Sequence, residues 1–131
     1  MAVIVYQPGS GSAGGTDAGT VLQNAQTGNA DSTNTADRTF LSGAAAIVVV
    51  SVIGAGPTVT FNILGSVDGI NFFNVPYALV TAPSTFVLTA ITITTAVTTP
   101  YLLQGSQPWR FLKVNMSANT NVTLTTNFYS R

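Results

Sequence analysis

The chain has 131 residues, with four Lys/Arg, four acidic residues that are all Asp, and neither His nor Cys. That length suits one domain with an appendage. Zero net charge leaves no basic stripe for nucleic acid or for an anionic bilayer, and the missing His and Cys remove disulfides, thiolate metal sites and the commonest general base.

Charged residues make up 6% of the chain and hydrophobic ones 46%, where soluble domains carry roughly a quarter charged. Two explanations stand. Either Thr and Asn supply the polar face of a strand-rich protein, or neighbouring subunits cover much of its surface.

Residues Ala2 to Tyr6 (AVIVY) form a short β-prone apolar tag that Pro8 ends. The N-terminus lacks the basic region of a signal peptide. From Gln7 to Thr39 the chain is mainly Gly, Ser, Thr, Asn, Ala and Asp, with Val21 and Leu22 its only large aliphatics. Such a segment buries too little apolar area to offset its ordering entropy. Two readings follow: a disordered tail, or an arm that orders on a partner. The strand-forming tip favours the arm, with a reach on the order of 100 Å. AVIVY would then add to a sheet edge elsewhere. The expected division is an extended Gly/Ser/Thr-rich arm at residues 1–38 and a β-sandwich domain at 39–131. Deleting Met1 to Arg38 is expected to leave the domain folded.

From Phe40 the pattern changes. Ala44 to Ile53 is a continuous apolar run, too short for the roughly 20 residues of a membrane span. Its β-branched stretch Ile47 to Val50 suits a strand covered on both faces. Gly54-Ala55-Gly56-Pro57 reads as a turn. Thr58 to Leu64 alternates, with Val59, Phe61 and Ile63 on one side. Asp68-Gly69 suits a tight turn, and Ile70 to Val75 reads as the return strand. Thr85 to Thr99 reads as a strand region, possible to break in two, with Ile91, Ile93 and Val97 on one parity. Thr99-Pro100 bends the chain. In Trp109 to Met116, Leu112, Val114 and Met116 share one parity. Ser117 to Asn121 reads as a turn, and Val122 to Tyr129 as the last strand, with Val122, Leu124 and Phe128 inward. No segment shows a 3.6-residue period. The fold expected is an all-β, antiparallel, jelly-roll-like β-sandwich.

No catalytic constellation emerges. Three of the four acids, Asp17, Asp31 and Asp37, fall in the arm, where burial would not tune them. A Ser or Thr nucleophile lacks an activating base other than Lys113. Asp68 and Asn71 would be a poor calcium cage, and a turn-closing Asx bond is the simpler role. No catalytic residue, metal or cofactor is therefore expected. Among the aromatics, Phe72-Phe73 would point to opposite faces of a strand, so one leaves the core for a loop or partner. Trp109 is a candidate stacking residue, and Arg110 and Lys113 read as exposed strand positions or interface contacts. The sequon-like triplets at Asn115 and Asn121 are unremarkable in so Thr-rich a chain.

Two segments carry a resemblance. Gly65-Ser66-Val67-Asp68-Gly69-Ile70-Asn71-Phe72 is similar to a hairpin of many tailed-phage virion proteins and of discoidin-like carbohydrate-binding jelly rolls. Pro108-Trp109-Arg110-Phe111-Leu112-Lys113-Val114-Asn115, followed by Asn121-Val122-Thr123-Leu124-Thr125, resembles their closing strands. Within the phage group the chain looks most like a capsid cement (decoration) protein. Unlike the lectins, it has Thr, Ala, Gly and Pro in its loops and no Cys. The resemblance implies a virion component on the capsid surface, a homo-oligomer, commonly a trimer, and the major capsid protein as partner. The candidate partner-binding residues are Ala2, Val3, Ile4, Val5, Tyr6, Phe72, Trp109 and Arg110. Two alternatives are a tail or fibre module that binds a carbohydrate or receptor, and a tail or adaptor component.

Overall fold

The computed structural model describes residues 20–37, 45–104 and 108–130. They form eight strands: β1 (Thr20–Gln26), β2 (Ala36–Asp37), β3 (Ala45–Ser66), β4 (Phe73–Asn74), β5 (Tyr77–Leu79), β6 (Ile91–Ile93), β7 (Thr98–Leu103) and β8 (Phe111–Ser130). All pairings are antiparallel, in the order β1-β8-β3-β7-β5, with β2 on β8 and β4 and β6 on β3. The protein is all-β, as its alternation requires.

β3 and β8 form one long ladder running from Ala45↔Ser130 to Ser66↔Phe111. Its buried side chains share one face: Ile47, Val49, Val59, Phe61 and Ile63 on β3, and Leu112, Val114, Met116, Val122, Leu124 and Phe128 on β8. A flat sheet cannot cover its own face, so the ribbon folds over. Phe61, in its second half, meets Tyr101 edge-on at 6.2 Å, and Tyr101 pairs with Ile47 in the first half. Both halves thus share one core.

The fold lies where the ladder slips between Ile53↔Val122 and Thr58↔Thr120. Residues 54–57 there oppose the single residue Asn121. Gly56 and Asn121 both take left-handed φ, 55° and 54°, and Asn121 Nδ2 donates to Ala55 O at 2.7 Å. A further bulge at Ser117 adds twist. The expected turns at Gly54–Pro57 and Ser117–Asn121 are therefore not chain reversals. They are the two sides of one bend, and both strands continue through it.

Four more expectations change. First, residues 20–37, read as part of an arm, are a paired border of the sheet. β1 lies along the far end of β8, and Ala30 to Asp37 along its near end. Ser32 N donates to Val114 O at 2.6 Å and Met116 N to Ala30 O at 2.9 Å. Leu22, Gln23 and Ala36 are fully or almost fully buried. Second, Ile47 to Val50 is buried on one face only, with Val48 and Val50 half-exposed. Third, the expected return strand Ile70–Val75 shrinks to Phe73–Asn74. Fourth, the Thr85–Thr99 region supplies only β6 and the start of β7. β6 pairs with the second half of β3 and β7 with the first, so the chain must cross between them. Ser51 pins that crossing: its hydroxyl donates to Thr95 O and accepts from Val97 N, both at 3.0 Å. Pro100 stays within β7, one residue beyond the last β5 pair, where no outer strand requires its missing N–H.

Candidate functional site

The two segments that carry the resemblance pack against each other. Arg110 N donates to Ser66 O at 3.0 Å. A Cβ on Gly65 would lie 2.6 Å from Trp109 Cγ, and one on Gly69 would lie 3.2 Å from the Phe111 ring. Gly65 therefore exists to let the indole approach the backbone. Gly69, at φ 79°, closes the turn over Phe111. These residues form one packing unit, so they mark a fold more than a binding pocket.

Asp68 organises the turn. Its Oδ1 accepts from Ser66 Oγ (2.9 Å) and from the N–H groups of Ile70 and Asn71 (both 2.8 Å), and its Oδ2 accepts from Asn71 Nδ2 (2.7 Å). These donors, the Asn71 and Ile70 amides first, hold the carboxyl well below the usual range. With both oxygens so engaged, Asp68 is a turn-closing group.

Around this turn aromatic and charged groups make several contacts. Phe73 is 59% exposed and stacks at a tilt on Trp109, with ring centroids 6.3 Å apart. Arg110 pairs with Asp37 at 3.1 Å and lies 4.7 Å from the Phe111 ring centroid. Lys113 Nζ reaches Asp31 at 2.6 Å and sits 4.0 Å from the Phe72 centroid. Hydrogen bonds from Lys113 and Asn115 lower the Asp31 pKa, and the Asp37 bond raises that of Arg110.

Of the candidate partner-binding residues, Phe72 meets Lys113, Trp109 meets Phe73 and Gly65, and Arg110 meets Asp37: three separate contacts around the turn. Ala2, Val3, Ile4, Val5 and Tyr6 lie outside the described residues. Trp109 is half-buried against the core, so part of its role is structural. Neither Phe72 nor Phe73 enters the core; the more exposed is Phe73. Sequence reasoning missed Asp31 and Asp37 as partners of Lys113 and Arg110, and singled out Phe72 in place of the more exposed Phe73. The two acids sit in the segment read as an arm, and only pairing with β8 brings them to the cations. Among the described residues no group of three or more His, Cys, Asp or Glu could hold a metal ion.

Neither a protein-family model nor a curated protein sequence matches the chain. In fold it is similar to the crystal structure of the SPBc2 prophage-derived protein YomS. The TM-score is 0.59 at 8% identity, over 88% of this chain and 95% of that one. The likeness concerns the fold, and it spans both halves of the bent ribbon.

Proposed function

We propose that the protein is a structural component of a bacteriophage virion, a cement or decoration protein that binds and stabilises the capsid. The observation that carries this reading is the shared fold with a prophage-derived protein across nearly the whole of both chains. The residue chemistry agrees with it. Asp31, Asp37 and Asp68 are each engaged in local pairs or turn bonds, an arrangement suited to holding a surface rigid and not to moving protons. Binding would combine oligomeric packing with contacts by the Ala2–Tyr6 segment and by Phe72, Trp109 and Arg110, with avidity from several subunits.

Cryo-electron microscopy of the particle that carries the chain tests the proposal. Density on the capsid shell is expected; density confined to the tail would overturn it. A second reading, a tail or fibre module for carbohydrate, is favoured by the exposed Phe73 ring against Trp109. Glycan binding lost on Phe73→Ala, with folding retained, would support that alternative. Trp109→Ala is the poorer probe, because it also removes packing at Gly65.

A further inference from the structure

Asp68-Gly69 is the single place in the chain where Asp or Asn precedes glycine; Asp17, Asp31 and Asp37 precede Ala, Ser and Arg. At such a bond the nitrogen of the next residue can attack the side-chain carboxyl. Gly69 N would bond to Asp68 Cγ, the carboxyl would lose water, and a cyclic imide would form. Water then opens the imide at the Asp68 main-chain carbonyl, which leaves an isoaspartyl linkage of unchanged mass. Glycine is the easiest attacker, because no side chain hinders its nitrogen or narrows its backbone freedom. The attack has two requirements. The carboxyl must be protonated, so that water can leave, and the Gly69 nitrogen must be free to turn onto Cγ.

The folded turn denies both. Gly69 N donates to Ser66 Oγ at 2.9 Å, so the nitrogen is tied to another group. Ser66 is fully buried, which fixes its hydroxyl. That same hydroxyl, the amides of Ile70 and Asn71, and Asn71 Nδ2 all donate to the Asp68 carboxylate. Donors to the charged form keep the carboxyl ionised. Asp68 and Gly69 are themselves exposed, so water reaches the bond and burial gives it no shelter. We infer that Asp68-Gly69 is a latent isoaspartate site, held shut in the folded turn by Ser66 and by the donors on Asp68. Modification would be lasting. An isoaspartyl link carries the main chain through Cβ, adds a carbon to the backbone and moves the carboxylate to Cα. The turn has no slack for it: Gly69 takes φ 79°, and the position of a Cβ there lies 3.2 Å from the Phe111 ring. A chain modified while the turn is open therefore does not close it again. The inference rests on the turn and is independent of the capsid reading.

Peptide mapping of the full chain tests it. The protein is held at neutral pH for several weeks, folded or unfolded in guanidinium chloride. Isoaspartate at residue 68 is then read from the chromatographic splitting of its peptide. The unfolded chain is expected to convert at least about tenfold faster than the folded one, since one unit of carboxyl pKa is a tenfold change in the protonated form. Ser66→Ala frees Gly69 N and removes a donor from Asp68. In the folded state it is expected to convert at least about threefold faster than the parent, the equivalent of half a pKa unit. Circular dichroism checks that the variant folds. Asn71→Ala, at an exposed position, frees Asp68 Oδ2 and leaves Gly69 N on Ser66; it serves if Ser66→Ala does not fold, and it is also expected to outpace the parent. Equal conversion of folded and unfolded parent overturns the inference. So do folded variants that convert no faster than the parent.

Discussion

Gly65→Ala tests the packing of the hairpin on the closing strand through the sign of its effect. Gly65 lies in β3, opposite Leu112 and Phe73, and its φ is not left-handed. On backbone grounds alone, alanine there should stabilise by about 0.4–1 kcal/mol, by restricting the unfolded chain. The structure predicts the opposite. The new Cβ would sit 2.6 and 2.7 Å from two indole carbons of Trp109 and 2.7 Å from Val75 Cγ2. Val75 is buried and Trp109 is packed on the core, so neither has room to yield. Overpacking of this kind costs about 1–3 kcal/mol, or a melting point lower by roughly 4–12 °C for a chain of this size. Urea unfolding followed by Trp109 emission measures the loss, since Trp109 is the only tryptophan. The same substitution in a Trp109→Ala background should cost less, with a coupling of at least about 0.5 kcal/mol. A stabilised Gly65→Ala variant, or strictly additive effects, would falsify the packing argument.

Other outcomes follow from the same structure. Deletion of residues 1–38 should prevent folding, because it strips β1, β2 and the buried Leu22 from β8; deletion of Ala2–Tyr6 alone should leave the thermal transition in place. Leu22→Ala by itself should cost about 2–5 kcal/mol in chemical denaturation. Asn121→Val should cost about 1–2 kcal/mol, for a β-branched residue at left-handed φ, with Asn121→Gly closer to the parent. Arg110→Ala should change stability by less than about 1 kcal/mol, since its pair with Asp37 is half-exposed. This makes it a clean probe of binding. The Asp68 carboxyl titrates lower in the folded chain than its ordinary 3.8. Its contribution is therefore fully present above the unfolded value and lost as pH falls through the folded one. Asp68→Asn should flatten the stability profile below about pH 4, and a profile unchanged by the substitution would count against the turn's role.

How much was legible beforehand depended on how local the signal was. The alternation of Val59, Phe61 and Ile63, and of Leu112, Val114 and Met116, marked the buried face correctly, because period-two patterning is a property of the strand itself. The candidate contacts were half legible: Phe72, Trp109, Arg110 and Lys113 stood out by residue type, whereas Asp31 and Asp37 joined the two cations only through pairing. The border at Thr20–Asp37 was not legible. Its residues are mostly Thr, Asn, Gln and Ala, with Val21 and Leu22 the only large aliphatics, and it orders by hydrogen-bonding to β8, about a hundred positions away in the chain.

The sequence by itself determined that the protein is all-β and antiparallel, which face of Thr58–Leu64 and of β8 is buried, and that Asp68 closes a turn. Each of these follows from neighbouring residues alone. Only the tertiary structure decided that two apparent turns are one bend, that most of the supposed arm between residues 20 and 37 is sheet, and that Asp31 and Asp37 meet Lys113 and Arg110. The reason is that a bend needs both strands to yield at the same register, and an edge strand is stable only against its partner. Both are relations between distant residues, which no local pattern encodes.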